Sequence, residues 1–142
     1  MTQTKTKMMK NEFVPHKEAI ALKELGFNEK CIVCYFEGEL RLTTAVPYLI
    51  YELEDNSWRR NSDFTNSVTA PLYQQVFRWF REKHGFNSYI IESVKGKYYF
   101  NIAKWNDRSF ISPDLSKTYD KARYKCLKKL IEYGVNNLLI NK

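Results

Sequence analysis

The sequence predicts an α+β fold. Two observations carry this: segments of period 3.6 alternate with pairs of β-rich segments, and each pair is joined by a short turn, as in a hairpin. The expected order is α-ββ-α-ββ-α, with the two hairpins supplying an antiparallel sheet and three helices lying mainly on one of its faces. At 142 residues with 44% hydrophobic and 15% aromatic content, the chain is long enough for one packed core. Residues 1–11 are polar and basic and read as a flexible tail, and residues 12–142 as a single domain.

The first helix is expected over Pro15 to Leu25. Proline suits a first turn, where its missing N–H has no partner to lose. Ala19, Ile20, Leu22 and Leu25 form the apolar stripe, and Gly26 is a natural stop. Cys31-Ile-Val-Cys-Tyr-Phe36 is rich in β-formers, Glu37-Gly38-Glu39 is a turn, and Leu40 to Thr44 returns as the partner strand. Tyr48 to Leu53 suggests another short strand. Glu54 to Ala70, rich in Asn, Ser, Thr and Asp, reads as a long surface loop.

Pro71 to His84 has the strongest helical pattern. Tyr73, Val76, Phe77, Phe80 and His84 share one face, and Gly85 ends it. Ser88 to Val94 and Lys97 to Ala103 form a second hairpin around Lys95-Gly96, and residues 104–117 form a loop. Thr118 is a suitable N-cap for a last helix, Tyr119 to Tyr133, stopped by Gly134. Its apolar face is Tyr119, Ala122, Cys126, Leu130 and Tyr133.

Charge is segregated along the chain. Residues 1–70 hold 9 Lys/Arg against 10 Asp/Glu, and residues 71–142 hold 14 against 6. A positive field of this kind attracts phosphates, nucleic acid or an acidic protein surface. Lys121, Lys125 and Lys128 repeat at i, i+4, i+7 opposite the apolar face, with Lys117 before the cap and Lys129 flanking the stripe. Such a row can track a phosphate backbone, or it is simply a solvated helix face. Arg78, Arg81 and Lys83 lie on the polar side of the middle helix, with Trp79 at its border. Tyr98, Tyr99 and Trp105 lie on or beside the second hairpin. Aromatics next to cations suit base stacking; the same aromatics also suit a small core. Tyr98 and Phe100 share one strand face and Tyr99 takes the other. In the long loop, Trp58 beside Arg59 and Arg60 has the composition of a protein-binding hot spot, or Trp58 anchors the loop from beneath.

Catalytic chemistry finds little support. The five glycines are scattered singly, so no Gly-rich phosphate loop exists. His16 and His84 have no neighbouring nucleophile in a known pattern. Cys31-x-x-Cys34 lacks a second close pair to complete a zinc site, and on a strand its members point to opposite faces. They read as ordinary strand cysteines, reduced in a cytosolic compartment. Asp55, Asp63, Asp107 and Asp114 have no spacing that implies a metal. No enzyme activity, metal or cofactor is expected. There is no apolar run of membrane-spanning length and no secretory signal, so a cytoplasmic location is expected, with the oligomeric state left open.

The second hairpin and its basic helix resemble a double-stranded-RNA-binding domain, in which a strand pair is followed by a Lys-rich helix N-terminus over phosphates. Asp120 and the preceding hairpin and helix depart from that pattern. A second resemblance spans nearly the whole chain past the tail. It is carried by Glu12-Phe-Val14 with Glu18-Ala19 and Leu22-Lys-Glu-Leu-Gly-Phe27, by Pro71-Leu-Tyr-Gln-Gln-Val-Phe-Arg-Trp-Phe-Arg-Glu-Lys83, and by Thr118-Tyr-Asp-Lys-Ala122 with Cys126-Leu-Lys-Lys-Leu-Ile131. These segments resemble a family of small phage and prophage proteins of Bacteroidota-type hosts that carries no assigned activity. Cys34 is not part of that pattern. The resemblance implies a phage-encoded accessory protein acting in the bacterial cytoplasm. The basic half would engage nucleic acid; the alternatives are a protein that inhibits a host defence or transcription factor, and an oligomer that sequesters an anionic nucleotide.

Overall fold

The computed structural model describes residues 11–43, 58–64, 66–104 and 109–140, with side chains through residue 137. The expected strand at Tyr48–Leu53 and nearly all of the expected tail lie outside these residues. The chain divides into two compact units, Met1–Tyr73 and Gln74–Lys142. The fold is α+β as expected, but each hairpin gains a third strand and the two lie in separate antiparallel sheets.

In the first unit, helix α1 spans His16–Glu24. It ends where the sequence indicates. Gly26 adopts φ +98°, a left-handed conformation that costs glycine little. This lets the Phe27 N–H reach the Leu22 carbonyl at 2.9 Å and the Gly26 N–H reach the Lys23 carbonyl at 3.0 Å. The pattern is a Schellman motif, and its apolar contact is supplied by buried Leu22 and Phe27.

Strands β1 (Val33–Phe36) and β2 (Glu39–Leu42) pair from Val33↔Leu42 to Phe36↔Glu39. Their two-residue turn, Glu37–Gly38, has positive φ at both positions, 52° and 79°, as a type I′ hairpin requires. Glu39 is thus the first residue of β2 rather than part of the turn. The other edge of β1 pairs with β3 (Val68–Thr69), through Cys34↔Thr69 and Tyr35↔Val68. All four β1 residues are buried, so this strand reads as a continuous apolar run rather than an alternating one.

The expected long loop is therefore corrected in part. Arg59 forms a two-hydrogen-bond bridge with Cys31, Asn61–Asp63 make a 3-10 turn, and Val68–Thr69 complete the sheet. The residues that signal a loop act here as pins. Asn61 donates its amide to the Phe27 carbonyl and accepts the Thr69 N–H, both at 2.8 Å. Asp63 accepts the Arg60 N–H at 2.8 Å, and Asn28 exchanges two bonds with Ser62. Polar side chains that satisfy buried backbone groups let an irregular segment pack without orphaned donors.

In the second unit, helix α2 (Tyr73–Trp79) passes into a π-helical turn, Phe80–His84, closed at Gly85. Strands β4 (Phe86–Glu92), β5 (Tyr98–Lys104) and β6 (Ser109–Ile111) follow in the spatial order β4-β5-β6. β6 corrects the expected loop over 104–117: it pairs Ile102↔Phe110 and its neighbours, and the Phe110 ring packs on Phe100 at 5.8 Å. Helix α3 spans Tyr119–Ile140. Thr118 caps it as expected, its hydroxyl accepting the Lys121 N–H at 3.1 Å. Gly134 does not stop it. A glycine inside a helix costs only about 1 kcal/mol, and Gly134 is itself buried.

The helical face covers one side of the second sheet. Ala122, Cys126, Leu127 and Leu130 are fully buried, and Phe86, Phe100 and Ile102 of the sheet are buried as well. Tyr133 packs on Phe86 at 5.6 Å and Phe110 at 6.3 Å. The other side, with Tyr89, Tyr99 and Ile111, stays partly open. Among the described residues, no helix is long and apolar enough to cross a membrane.

Candidate nucleic-acid interface

The boundary between the units coincides with the change of charge. The second unit holds 14 Lys/Arg against 6 Asp/Glu, and the first 9 against 10. Within the second unit, one pairing outside the strands organises the cations. Ser116 bridges Tyr98: the Tyr98 N–H donates to the Ser116 carbonyl at 2.8 Å and the Ser116 N–H to the Tyr98 carbonyl at 2.6 Å. Lys97 and Lys117 therefore face each other across two adjacent chain segments. Lys95 stands in the same turn, and Lys121 follows one helical turn beyond the cap. The Tyr119 ring meets the Tyr98 ring edge-on at 6.0 Å, fixing the start of α3 at this end of the sheet.

Lys95, Lys97, Lys117, Lys121 and Lys125 are all exposed, and among the described residues none is engaged in an ion pair. Lys128 continues the row, with its ammonium 5.5 Å from the Tyr124 ring. Lys129 is committed inward, over the Phe110 ring at 4.7 Å and to Glu132 at 3.3 Å. Asp120, the acidic departure at the helix start, pairs with Arg123 at 3.2 Å. Its charge is compensated within the helix, and the end stays positive.

The expected site residues do not form one surface. Arg78, Arg81 and Lys83 are exposed, but Arg81 and Lys83 lie in the turn that leads into the Phe86 end of β4. Lys117 and Lys121 lie at the Glu92 end, about 20 Å away along seven strand residues. Trp79 is a core residue, 5% exposed, set between Phe80 at 5.0 Å and His84 at 4.9 Å. The π turn that follows brings His84, five residues on, back over Trp79, where a regular α-helix would carry it round to another side. Tyr99 lies on the open sheet face, as the alternation implies. Trp105 lies outside the described residues. Trp58 is 55% exposed and Arg60 is exposed, whereas Arg59 is 3% exposed and held by Cys31. The three do not make a continuous exposed cluster.

Lys95 and Lys97 are the site residues that sequence reasoning missed. The signal was present as two lysines flanking Gly96 in a hairpin turn, but only the return of Ser116 brings them to Lys117.

Other chemistry is sparse. Burial raises the Cys34 thiol to about 11 and the Cys126 thiol to about 12, so neither is a nucleophile near neutral pH. Among the described residues, no three His, Cys, Asp or Glu side chains are placed to hold a metal ion. His84 titrates below its ordinary value, because burial and the Lys104 ammonium disfavour its charged form. In the first unit an open depression of about 370 Å³ is lined by His16, Lys23, Tyr35, Glu37 and Ser67 among others. It holds an acid beside its two basic groups, and Lys23 already donates to the Ser67 carbonyl at 3.5 Å; this is not a basic pocket of the kind an anionic nucleotide would need.

No family model matches the chain, no curated protein is similar to it, and no solved structure matches its fold.

Proposed function

We propose that this chain is a non-enzymatic accessory protein that binds nucleic acid through the Lys-rich end of its second unit. The juxtaposition of Lys95 and Lys97 with Lys117 and Lys121 carries the reading. The Tyr98–Ser116 bridge joins a hairpin turn to a helix start and sets exposed Lys97 and Lys117 at opposed backbone positions, and Lys121, Lys125 and Lys128 continue along the helix. A polyanion bound there releases a counterion for each neutralised phosphate. The resemblance to a double-stranded-RNA-binding domain favours a duplex, since that class grips backbone shape rather than base edges. The phage-family resemblance supports a phage origin and action in the bacterial cytoplasm.

The test is fluorescence anisotropy with labelled duplex RNA, duplex DNA and single strands over a salt series. The logarithm of affinity should fall linearly with that of salt, with a slope of about −0.9 per contacted phosphate on duplex DNA. Lys117→Glu, Lys121→Glu and Lys125→Glu combined should abolish binding while leaving the circular dichroism spectrum intact. A folded triple variant that still binds rejects the proposal.

A second reading is favoured by one observation, the exposure of Trp58 beside Arg60. It takes the first unit as the docking surface for a host protein, such as a defence or transcription factor. Capture of a host protein that resists salt and is lost in Trp58→Ala would select it over the nucleic-acid reading.

A further inference from the structure

The outer edge of β4 is unlike a protected sheet edge. β4 runs for seven residues, Phe86–Glu92, in an unbroken register with β5. It contains no Lys, Arg or Pro, and its single charge is Glu92. Native proteins blunt long edge strands with such residues, with bulges or by keeping them short. Among the described residues, no strand pairs with this edge.

The hydrogen-bond phase of the hairpin shows which groups face outward. The Ser93 N–H donates to the Lys97 carbonyl at 2.6 Å, so Ser93 and Lys97 are a hydrogen-bonded pair. Counting back along the register, Ile91, Tyr89 and Asn87 turn their backbone groups toward β5. Phe86, Ser88, Ile90 and Glu92 turn theirs outward. Consistently, Phe100 of β5 spends its N–H and carbonyl on Ser112, away from β4.

We propose that this edge binds the same edge of a second copy of the chain, antiparallel, about a two-fold axis at Tyr89. A two-fold contact is isologous, so the edge must complement itself, and this one does. With the axis at Tyr89, Ser88 lies opposite Ile90 of the second copy and Phe86 opposite its Glu92. All four outward-facing residues of each strand then become hydrogen-bonded pairs, about eight bonds in all. Tyr89 meets its own mate at a non-hydrogen-bonded position, where side chains approach most closely. Tyr89 is 53% exposed on the open sheet face, and a cross-strand aromatic pair there is favourable.

Charge fits as well. Lys104 is the β5 partner of Phe86, and its ammonium lies over the Phe86 ring at 5.3 Å. Glu92 of the second copy arrives on the other side of Phe86, on the same sheet face. The only charge on the edge thus meets a lysine already leaning toward it, twice by symmetry. The lysines at the Ser116 bridge take no part in the pairing.

The experiment is light scattering of the full chain over a wide concentration range. It should give twice the chain mass, falling to the single mass on dilution. Tyr89→Lys places like charges at the closest position of the axis and should weaken dimerisation by at least about tenfold, with circular dichroism unchanged because the side chain is exposed. Tyr89→Cys should form an intermolecular disulfide on mild oxidation, and Val94→Cys, in the exposed turn, should not. A chain that is monomeric throughout overturns the proposal. So does a dimer indifferent to Tyr89→Lys, or one in which Tyr89→Cys fails to cross-link.

Discussion

The two sheets have the same strand count and the same antiparallel pairing, yet they are finished differently. In the first, the central strand β1 is buried throughout, β2 carries Glu39 and Arg41 as an ion pair at 3.5 Å, and β3 is two residues long. In the second, one face is covered by α3 and the other is partly open, and β4 is long and nearly uncharged. The near-neutral unit thus closes its sheet with charge and brevity. Among the described residues, the basic unit leaves one sheet face partly exposed and the outer edge of β4 without a strand partner. Unpaired strand edges and open faces are where sheets acquire partners.

Thiol chemistry offers the sharpest way to compare the units, since each buries a cysteine at its centre. Cys34 and Cys126 should react with a thiol reagent at pH 7.5 at least about two orders of magnitude more slowly than a free cysteine, because each unit of raised pKa removes tenfold of the thiolate. Reaction at one site well before the other would show that its unit opens independently; simultaneous reaction would show cooperative opening. Mass spectrometry of labelled peptides distinguishes the two.

Neighbouring residues of β5 test the covered and open faces directly. Phe100→Ala, beneath α3, should cost about 3–5 kcal/mol, and Tyr99→Ala much less. Equal costs in denaturant titrations would mean that the open face is covered in solution.

Within the first unit, Asn61→Ala removes a donor from the Phe27 carbonyl and an acceptor from the Thr69 N–H. A loss of about 1–3 kcal/mol is expected, together with faster hydrogen exchange at Thr69. A wild-type exchange rate there would refute the pinning role.

The smallest effect concerns pH. His84 titrates lower in the folded state than its ordinary 6.5. Above 6.5 both states hold it neutral and its contribution is complete. As pH falls through 6.5 the unfolded chain takes the proton first, so stability declines into the acid range. His84→Phe should flatten that decline, which thermal melts between pH 7 and pH 5 will measure.

Much of the architecture was legible where a single residue type enforces a local conformation. Gly26 and Thr118 mark helix ends by their own chemistry, and Glu37–Gly38 fixes a hairpin. β3 and β6 were not legible, because strands of two and three residues take their identity from the partner they join. The end of α3 was misplaced for the opposite reason: Gly134 carries a stop signal that burial overrides. Of the candidate site, the helix lysines were legible from their spacing. Their joining to Lys95 and Lys97 was not, since it depends on one backbone bridge between segments far apart in sequence.

That bridge also has a cost. Two backbone hydrogen bonds hold Lys97 and Lys117 next to each other, with Lys95 and Lys121 close by in a unit already strongly positive. Like charges gathered in this way repel, and the repulsion is felt most when few counterions are present. The second unit should therefore be least stable in pure low-salt buffer, and a polyanion that binds only the folded state should raise its melting temperature by mass action. The free chain thus carries an electrostatic tension, set by one pair of backbone hydrogen bonds, that a bound polyanion would relieve.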